Sequence, residues 1–476
     1  MNRNWNHPLG VAALAVLLAQ ACSARAALSG GDVDLVFNPA ISGSVTALAA
    51  QPDEKVLIGG GFTSVNGIAR TNIARLNADG SLDGSFQNGF SGANNIVRAI
   101  VVQPDGKVLI GGSFTNVNGV SRNGIARLNA DGSLDTNFVS AASSVLCIAP
   151  QADGKVLVGG GWNASTGTVN YALCARLNTN GTVDTNLHCT VSGSCAVPWS
   201  CTQPSVNSVA VQPDGKVLIG GLFTAVNGST RYAIVRLNSD GSLDNSFTAL
   251  NWQDNFGNNG SVNSVAVQPD GKMLVGGIFN YLNATARGDI ARLNASGTVD
   301  TNFLNGLSGA DGNVNAVTLQ SDGRVLIGGL FSSVNGAGRH GIARLNSDGS
   351  LDASFQNGMA GVSGGFISYV QAIAVQSDGK VLIAGGFTTV NGVARNGFAR
   401  LYGSTPRPSL RNFGVVAHQY GFDVVGESNQ AFVVEASADF LSWIPLATNT
   451  LGGTAFRFSD PSWGAFPTRH YRARVP

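Results

Sequence analysis

The sequence predicts an all-β chain: a seven-bladed β-propeller closed by an N-terminal strand, followed by a small β-sandwich-like domain. Three observations lead there. A segment of the form KVLIGG-F recurs seven times, each recurrence sits in a unit of strand-like runs, and one unit is split between the two ends of the repeat region. The glycines that mark the segment are Gly59, Gly111, Gly159, Gly220, Gly276, Gly328 and Gly385, separated by 52, 48, 61, 56, 52 and 57 residues. Periods near 50 belong to propeller blades and related repeats.

From the N-terminus, residues 1–26 read as an export signal. Arg3 lies in a polar start, residues 11–19 form a short apolar run, and Ala24-Arg25-Ala26 places small residues at both specificity positions of a signal peptidase site. The run is about half the ~20 residues that span a bilayer. The alternative is a lipoprotein with Cys22 as the modified residue, which fits less well because Gln20 stands where a small residue is expected. No later stretch is a transmembrane candidate, so a secreted or envelope-associated protein is expected.

Residues 31–402 carry the repeats. The second unit shows the plan: strand A at 95–103 (NIVRAIVVQ), B at 107–114 (KVLIGGSF), C at 123–129 (NGIARLN) and D at 133–138 (SLDTNF). Pro104-Asp105-Gly106 joins A to B, and Ala130-Asp131-Gly132 joins C to D; an x-Asp-Gly triplet suits a three-residue hairpin with Gly in the left-handed position. Strand B is apolar on both faces, as a strand between neighbouring blades must be. The turn fixes the register, setting Leu128 opposite Leu134 and Arg127 opposite Asp135. The pair recurs as Arg75/Asp83, Arg176/Asp184, Arg236/Asp244, Arg292/Asp300 and Arg344/Asp352. Each pair is worth about 0.2–1 kcal/mol, against about 1.5–3 kcal/mol for burying the Phe near the end of D. A pair repeated in every blade reads as structural.

The seventh unit has A (370–376), B (380–387) and C (397–401) but no D, whereas residues 31–38 (GDVDLVFN) form a D strand with no A, B or C. The N-terminal strand is therefore expected to complete the last blade, pairing Asp34 with Arg400 and removing the exposed sheet edges of an open array. An open solenoid is the alternative.

The unit VQPDGKVLIGG-F…VNG…R…IARLN-DGSLD-SF resembles the delta-60 repeat, found in tandem in secreted bacterial proteins and regarded as propeller-forming. The resemblance covers roughly residues 31–402 and implies the fold without implying an activity. The third unit departs from it, with WNASTGTVNYALCARLN in place of the Phe and the Val-Asn-Gly turn. The Gly-Gly doublets are superficially similar to kelch blades, but the Tyr and Trp that follow in kelch are missing.

Residues 403–408 read as a linker, and 409–476 as a C-terminal β domain with strand-like runs GFDVVG, AFVVEAS, AFRFSD and HYRARV. The stretch resembles a fibronectin-like β-domain. Trp443 is expected as a core anchor. Alternation puts Tyr471, Ala473 and Val475 on one face of the last strand and a basic stripe of His470, Arg472 and Arg474 on the other. The stripe is either a solvated face or a surface for an anionic partner.

Composition removes several function classes. Charged residues are 12% and net charge is +1, which excludes a general affinity for nucleic acid. With 43% hydrophobic residues in patterned runs the chain is not disordered, and its 63 glycines follow no collagen triplet. After the leader, Cys147, Cys174, Cys189, Cys195 and Cys201 remain. The spacing of Cys189, Cys195 and Cys201 suits one loop-closing disulfide; a metal cluster fits less well, since only His188 lies near and no C-x-x-C pair exists.

Variation concentrates in the D-to-A loops at 188–205 and 248–261, assigned with the B–C loops to one face and the Asp-Gly turns to the other. Trp199, Trp252, Asp254 and Phe256 are the candidate ligand-binding residues, an aromatic and amide platform for carbohydrate or protein at the cell envelope; the alternative is that the loops pack on each other. Asn77, Asp79, Ser81 and Asp83 place oxygens at alternate positions as calcium loops do, but position twelve is Asn88, not a bidentate Glu, and Asp83 is committed to Arg75. No cofactor is expected. Nothing resembles a nucleophile elbow, a phosphate loop or a metal-spaced His pair, so no catalytic residue is assigned. The reading is a non-catalytic binding scaffold; the alternatives are a propeller hydrolase or lyase using a channel-mouth carboxylate such as Asp254, and a purely structural surface component.

Overall fold

The computed structural model describes residues 29–474 except 141, 143, 167–168, 195–202, 249, 254–258, 284, 357, 366, 405–408, 417–418, 427–430, 440–441, 452–454 and 466–467. The expected signal peptide, most of the expected linker, and Trp199, Asp254, Phe256, Cys195 and Cys201 lie outside the described residues. Two compact units are present, one of them Ser29–Thr405 and the other containing Pro406–Pro476.

The larger unit is a ring of seven antiparallel blades. In the second blade strand A is Val97–Val102, B is Val108–Gly112 and C is Ile125–Leu128, with Ile100 paired to Ile110 and Ile110 to Ala126. Strand B is apolar throughout because both its faces are interfaces. Val108 and Ile110 pack with Ala47 and Leu57 of the first blade, whereas Leu109 packs with Val145 and Val156 of the third. The Gly-Gly doublet lets these layers close. A Cβ on Gly111 would come within 2.6 Å of Val145 Cγ1 in the next blade, and one on Gly112 within 2.1 Å of the Ile96 carbonyl of its own strand A.

The C–D turn has the expected geometry: Gly132 has φ 85°, Leu128 bridges Leu134, and the Asp135 N–H donates to the Arg127 carbonyl at 2.9 Å. The expected fourth strand is much shorter than its sequence suggests. It amounts to that single bridge, because Asp135 Oδ1 accepts the Asn137 N–H at 3.0 Å and turns the chain, sending Phe138 into the core with no exposed surface.

The split unit closes the ring. Val33 bridges Leu401. The Asp34 N–H donates to the Arg400 carbonyl at 2.8 Å, and the Tyr402 N–H to the Asp32 carbonyl at 2.9 Å. Arg400 Nη2 lies 2.7 Å from Asp34 Oδ2, and its guanidinium covers the Phe37 ring at 4.1 Å. The N-terminal segment thus supplies the outer edge of blade seven.

Between B and C six blades insert a short hairpin, its turn sequence Asn-Gly in five of them and Asn283-Ala284 in the fifth blade; in the second blade Asn116–Val117 pairs with Val120–Ser121. The hairpin folds back along the blade. Val117 bridges Ala93 in the preceding D–A connection, while Asn118 Nδ2 donates to the Gly132 carbonyl of the C–D turn at 3.0 Å. The expected separation of B–C loops from C–D turns onto opposite faces therefore fails at the rim, where the two are hydrogen-bonded. The third blade replaces the hairpin by long strands, Val156–Thr166 and Val169–Leu177.

The C-terminal unit consists of two three-stranded antiparallel sheets. Gln419–Val425 lies between Ser409–Val416 and Ala455–Asp460 in one, and Ala431–Ser437 between Ile444–Thr450 and His470–Arg474 in the other. Phe422, Val424 and Phe458 of the first sheet pack on Phe432 and Val434 of the second. Trp443 is not in this core: it is half-buried, with the Arg472 guanidinium 4.1 Å over its ring. The basic stripe is only partly neutralised, since Arg472 and Arg474 share the single carboxylate of Glu435, at 2.7 and 2.8 Å.

Candidate functional site

Strand A of every blade contains a β-bulge, and all seven fall at the same place. The register breaks across Val45/Ala47, Val97/Ala99, Val145/Cys147, Val206/Ser208, Val262/Ser264, Val314/Ala316 and Val370/Ala372. A bulge leaves one residue unpaired and re-aims its side chain. The seven extra residues are Thr46, Arg98, Leu146, Asn207, Asn263, Asn315 and Gln371, and together with Tyr369 they line one cavity of about 350 Å3. This cavity is the central channel, to which each blade contributes its bulged side chain and blade seven Tyr369 as well. The second glycine of the doublet, or Gly385 in blade seven, pairs with the Val just before the bulged residue, and its missing side chain leaves room for the carbonyl of the residue before that Val, as at Gly112 and Ile96.

The channel ring is polarised. Blades four to seven contribute the amides Asn207, Asn263, Asn315 and Gln371; blade two contributes Arg98, the one charged residue of the seven. Three amides are pinned to the following blade: Asn207 Nδ2 donates to the Val262 carbonyl, Asn263 Nδ2 to Val314 and Asn315 Nδ2 to Val370, at 3.3, 3.3 and 3.1 Å. Asn207 Nδ2 also donates to Asn263 Oδ1 at 3.3 Å. Arg98 is exposed and has no hydrogen-bond or ion-pair partner among the described residues.

The residues expected to bind ligand fare differently. Trp252 has no exposed surface. It sits in the D–A connection, paired with Leu282 of the next blade's hairpin, and packs edge-on against Phe279 at 4.8 Å. Other blades place Ala93 or Ala310 at this position, so Trp252 is a rim core residue and not a platform. The residues that line the channel were not among those expected, although a signal existed. Strand A reads Val-x-Ala/Ser/Cys in every unit, and x is the column that varies.

The Arg–Asp pairs are structural, and more extensive than expected. Asp135 Oδ2 takes both Arg127 Nε and Lys107 Nζ at 2.8 Å. Arg127 Nη1 donates to the Thr179 carbonyl in the next blade's turn, and the series runs round to Arg400, which donates to Ala78 of the first blade. Burial alone would raise the Asp135 carboxyl, but the bonds from Lys107 and Arg127 outweigh it and hold the group at about 2. Asp83 is likewise taken by Arg75 and Lys55, at 2.7 and 2.9 Å, and Asp79 Oδ1 accepts from Ser81. These oxygens, which suggested a calcium loop, are committed to the turn and the pair.

Cys189 bonds to Cys174, with Cα atoms 5.9 Å apart, a pairing outside the set of Cys189, Cys195 and Cys201 that loop spacing suggested. It ties strand C of the third blade to the connection that leaves it. Cys147 keeps a free thiol, pushed up to about 12 by burial.

Fold and channel together define a repeat-built β-propeller whose inner wall carries one variable side chain per blade. A family model of a β-propeller domain of unknown function, DUF5122, matches residues 51–86, 103–138, 151–187, 212–247, 268–303, 320–355 and 376–401. These segments make up about half of the chain, which belongs to this family. The last match stops at strand C, where the N-terminal segment takes over. No curated protein matches the sequence. Among solved structures, PorZ, a surface component of the type-IX secretion system of Porphyromonas gingivalis, is similar at 12% identity and TM-score 0.40, over 94% of this chain and 60% of that one. Virginiamycin B lyase from Staphylococcus aureus is similar at 12% identity and TM-score 0.34, over 77% of this chain and 98% of that one. The chain thus spans about 60% of the length of the PorZ structure. Likeness at this level says nothing of a shared activity.

Proposed function

We propose that the protein is a non-catalytic binding scaffold of the extracellular space or cell envelope, with carbohydrate or protein as its ligand and the channel as its seat. The observation that carries this reading is the contrast between the blades' frame and their bulges. Strands B and C and the C–D turns are nearly identical from blade to blade, as interfaces require, whereas the bulge residue changes from Thr to Arg, Leu, Asn and Gln. Variation at a repeated position that faces the channel is what a recognition surface needs. None of the seven is a carboxylate that could act as a hydrolase or lyase acid.

Location rests on the leader sequence. Among the described residues no helix is long and apolar enough to cross a membrane. The delta-60 character of the repeats and the fibronectin-like character of residues 409–476 belong to the same proposal, the latter as a spacer module. Incubating the purified chain with envelope fractions and a glycan array tests it. Retention without change in the ligand is expected; release of a cleaved product would overturn the non-catalytic reading.

A further inference from the structure

We propose that the channel takes the acidic end of a polysaccharide, its carboxylate on Arg98 and its hydroxyls on the amide arc. The inference rests on the binding reading above and adds the ligand class. Arg98 is a cation without a counter-ion among the described residues, on a wall with no carboxylate. Low-dielectric walls focus such a charge on whatever enters, and a guanidinium fork matches a carboxylate bidentately.

In a seven-membered ring, blade two stands across from blades five and six, so Asn263 and Asn315 face Arg98 over the channel. Their bonds to the following blade fix each amide. The carbonyl oxygens of Asn207 and Asn315 and the second N–H of Asn263 and Asn315 are left for a ligand, a mixed donor and acceptor set suited to hydroxyl groups. Pinned groups bind without losing rotamer freedom.

Tyr369 supplies an apolar face. Its ring lies over Gly386, where an added Cβ would come within 2.5 Å of Cε1; blades five and six have Ile278 and Leu330 in the corresponding place. Glycine there is what lets the ring lie flat against strand B. One cation, an amide arc and one aromatic face fit an acidic sugar. A nucleic acid would need several cations for its phosphates.

Calorimetric titration of the full chain with a panel of uronic-acid trisaccharides, their neutral parents and sodium sulfate tests this. The expected result is at least ten-fold tighter binding of one or more acidic sugars than of the neutral parents. Arg98→Gln should weaken it at least ten-fold, as should Tyr369→Ala, with the melting temperature of Arg98→Gln unchanged. Equal affinity for the neutral parent, wild-type affinity in Arg98→Gln, competition by sulfate at equal concentration, or no binding by any uronate would overturn the inference. Retention on envelope fractions that survives Arg98→Gln would sink the acidic-sugar claim and leave the scaffold reading standing; no retention of the wild-type chain would sink both.

Discussion

Asp289 occupies the place that Asn72 holds in the first blade. Both side chains accept a backbone N–H through Oδ1, from Phe279 at 2.8 Å and from Phe62 at 3.0 Å. Asn72 also donates to the Ala93 carbonyl at 2.9 Å, which an ionised carboxylate cannot do. Burial raises the Asp289 carboxyl to about 7; the Phe279 N–H opposes this, and the nearby Asp311 charge adds to it. The sign follows: a raised acid contributes stability that is fully present below the ordinary pKa near 3.9 and is lost as pH rises through about 7. Asp289→Asn should therefore be more stable than wild type at pH 8 and little different at pH 4, by urea denaturation; an equal difference at both pH values would contradict it. Trp252→Ala should cost about 3–5 kcal/mol as a core truncation and leave ligand affinity at the channel unchanged. Its role was illegible in the sequence because the D–A connections differ in length, so the column shared with Ala93 and Ala310 does not align by eye. Aromatic character alone suggested a surface that the fold does not give it.

At the scale of the element, the blade is held by a carboxylate between two cations. Asp135→Ala leaves the largely covered Arg127 without its counter-charge, a loss that approaches the cost of breaking a buried pair, about 3–5 kcal/mol. Asp322→Ala, whose half-exposed side chain meets Arg324 at 3.4 Å, should cost no more than about 1 kcal/mol. Guanidinium denaturation midpoints of the two variants check the contrast. Because the Asp135 carboxyl is depressed to about 2, its contribution is present above about pH 4 and is lost as pH falls toward 2. Arg–Asp pairing and the turn glycines were legible because both obey local rules. The bulges were not: they arise from a Gly-Gly doublet on strand B meeting strand A, two segments of unremarkable local pattern. Strand D was overcalled for the opposite reason, since an alternating run with a terminal Phe reads as a strand until Asp135 turns the chain.

For the whole molecule, the ring is completed by the pairing of the N-terminal segment with blade seven. Ring closure rests on a segment more than 360 residues from its partner in sequence, and Arg395 Nη2 adds a bond to the Asp34 carbonyl at 3.0 Å. A chain beginning at residue 39 would expose the Phe398–Leu401 strand and uncover the core beneath Phe37. Such a truncation should unfold at lower temperature and self-associate through the open edge, read by light scattering; a monomer with unchanged melting would argue against closure. Cross-linking tests the closed ring most directly. In a Val33→Cys/Leu401→Cys variant, oxidation followed by tryptic mass spectrometry should give one intramolecular link between the peptide that contains residue 33 and the peptide that begins at residue 401, in a monomer that still melts as one unit. No link, or links only between molecules, would mean that the seventh blade is not completed by the N-terminal segment, and the seven-residue channel ring would fall with it.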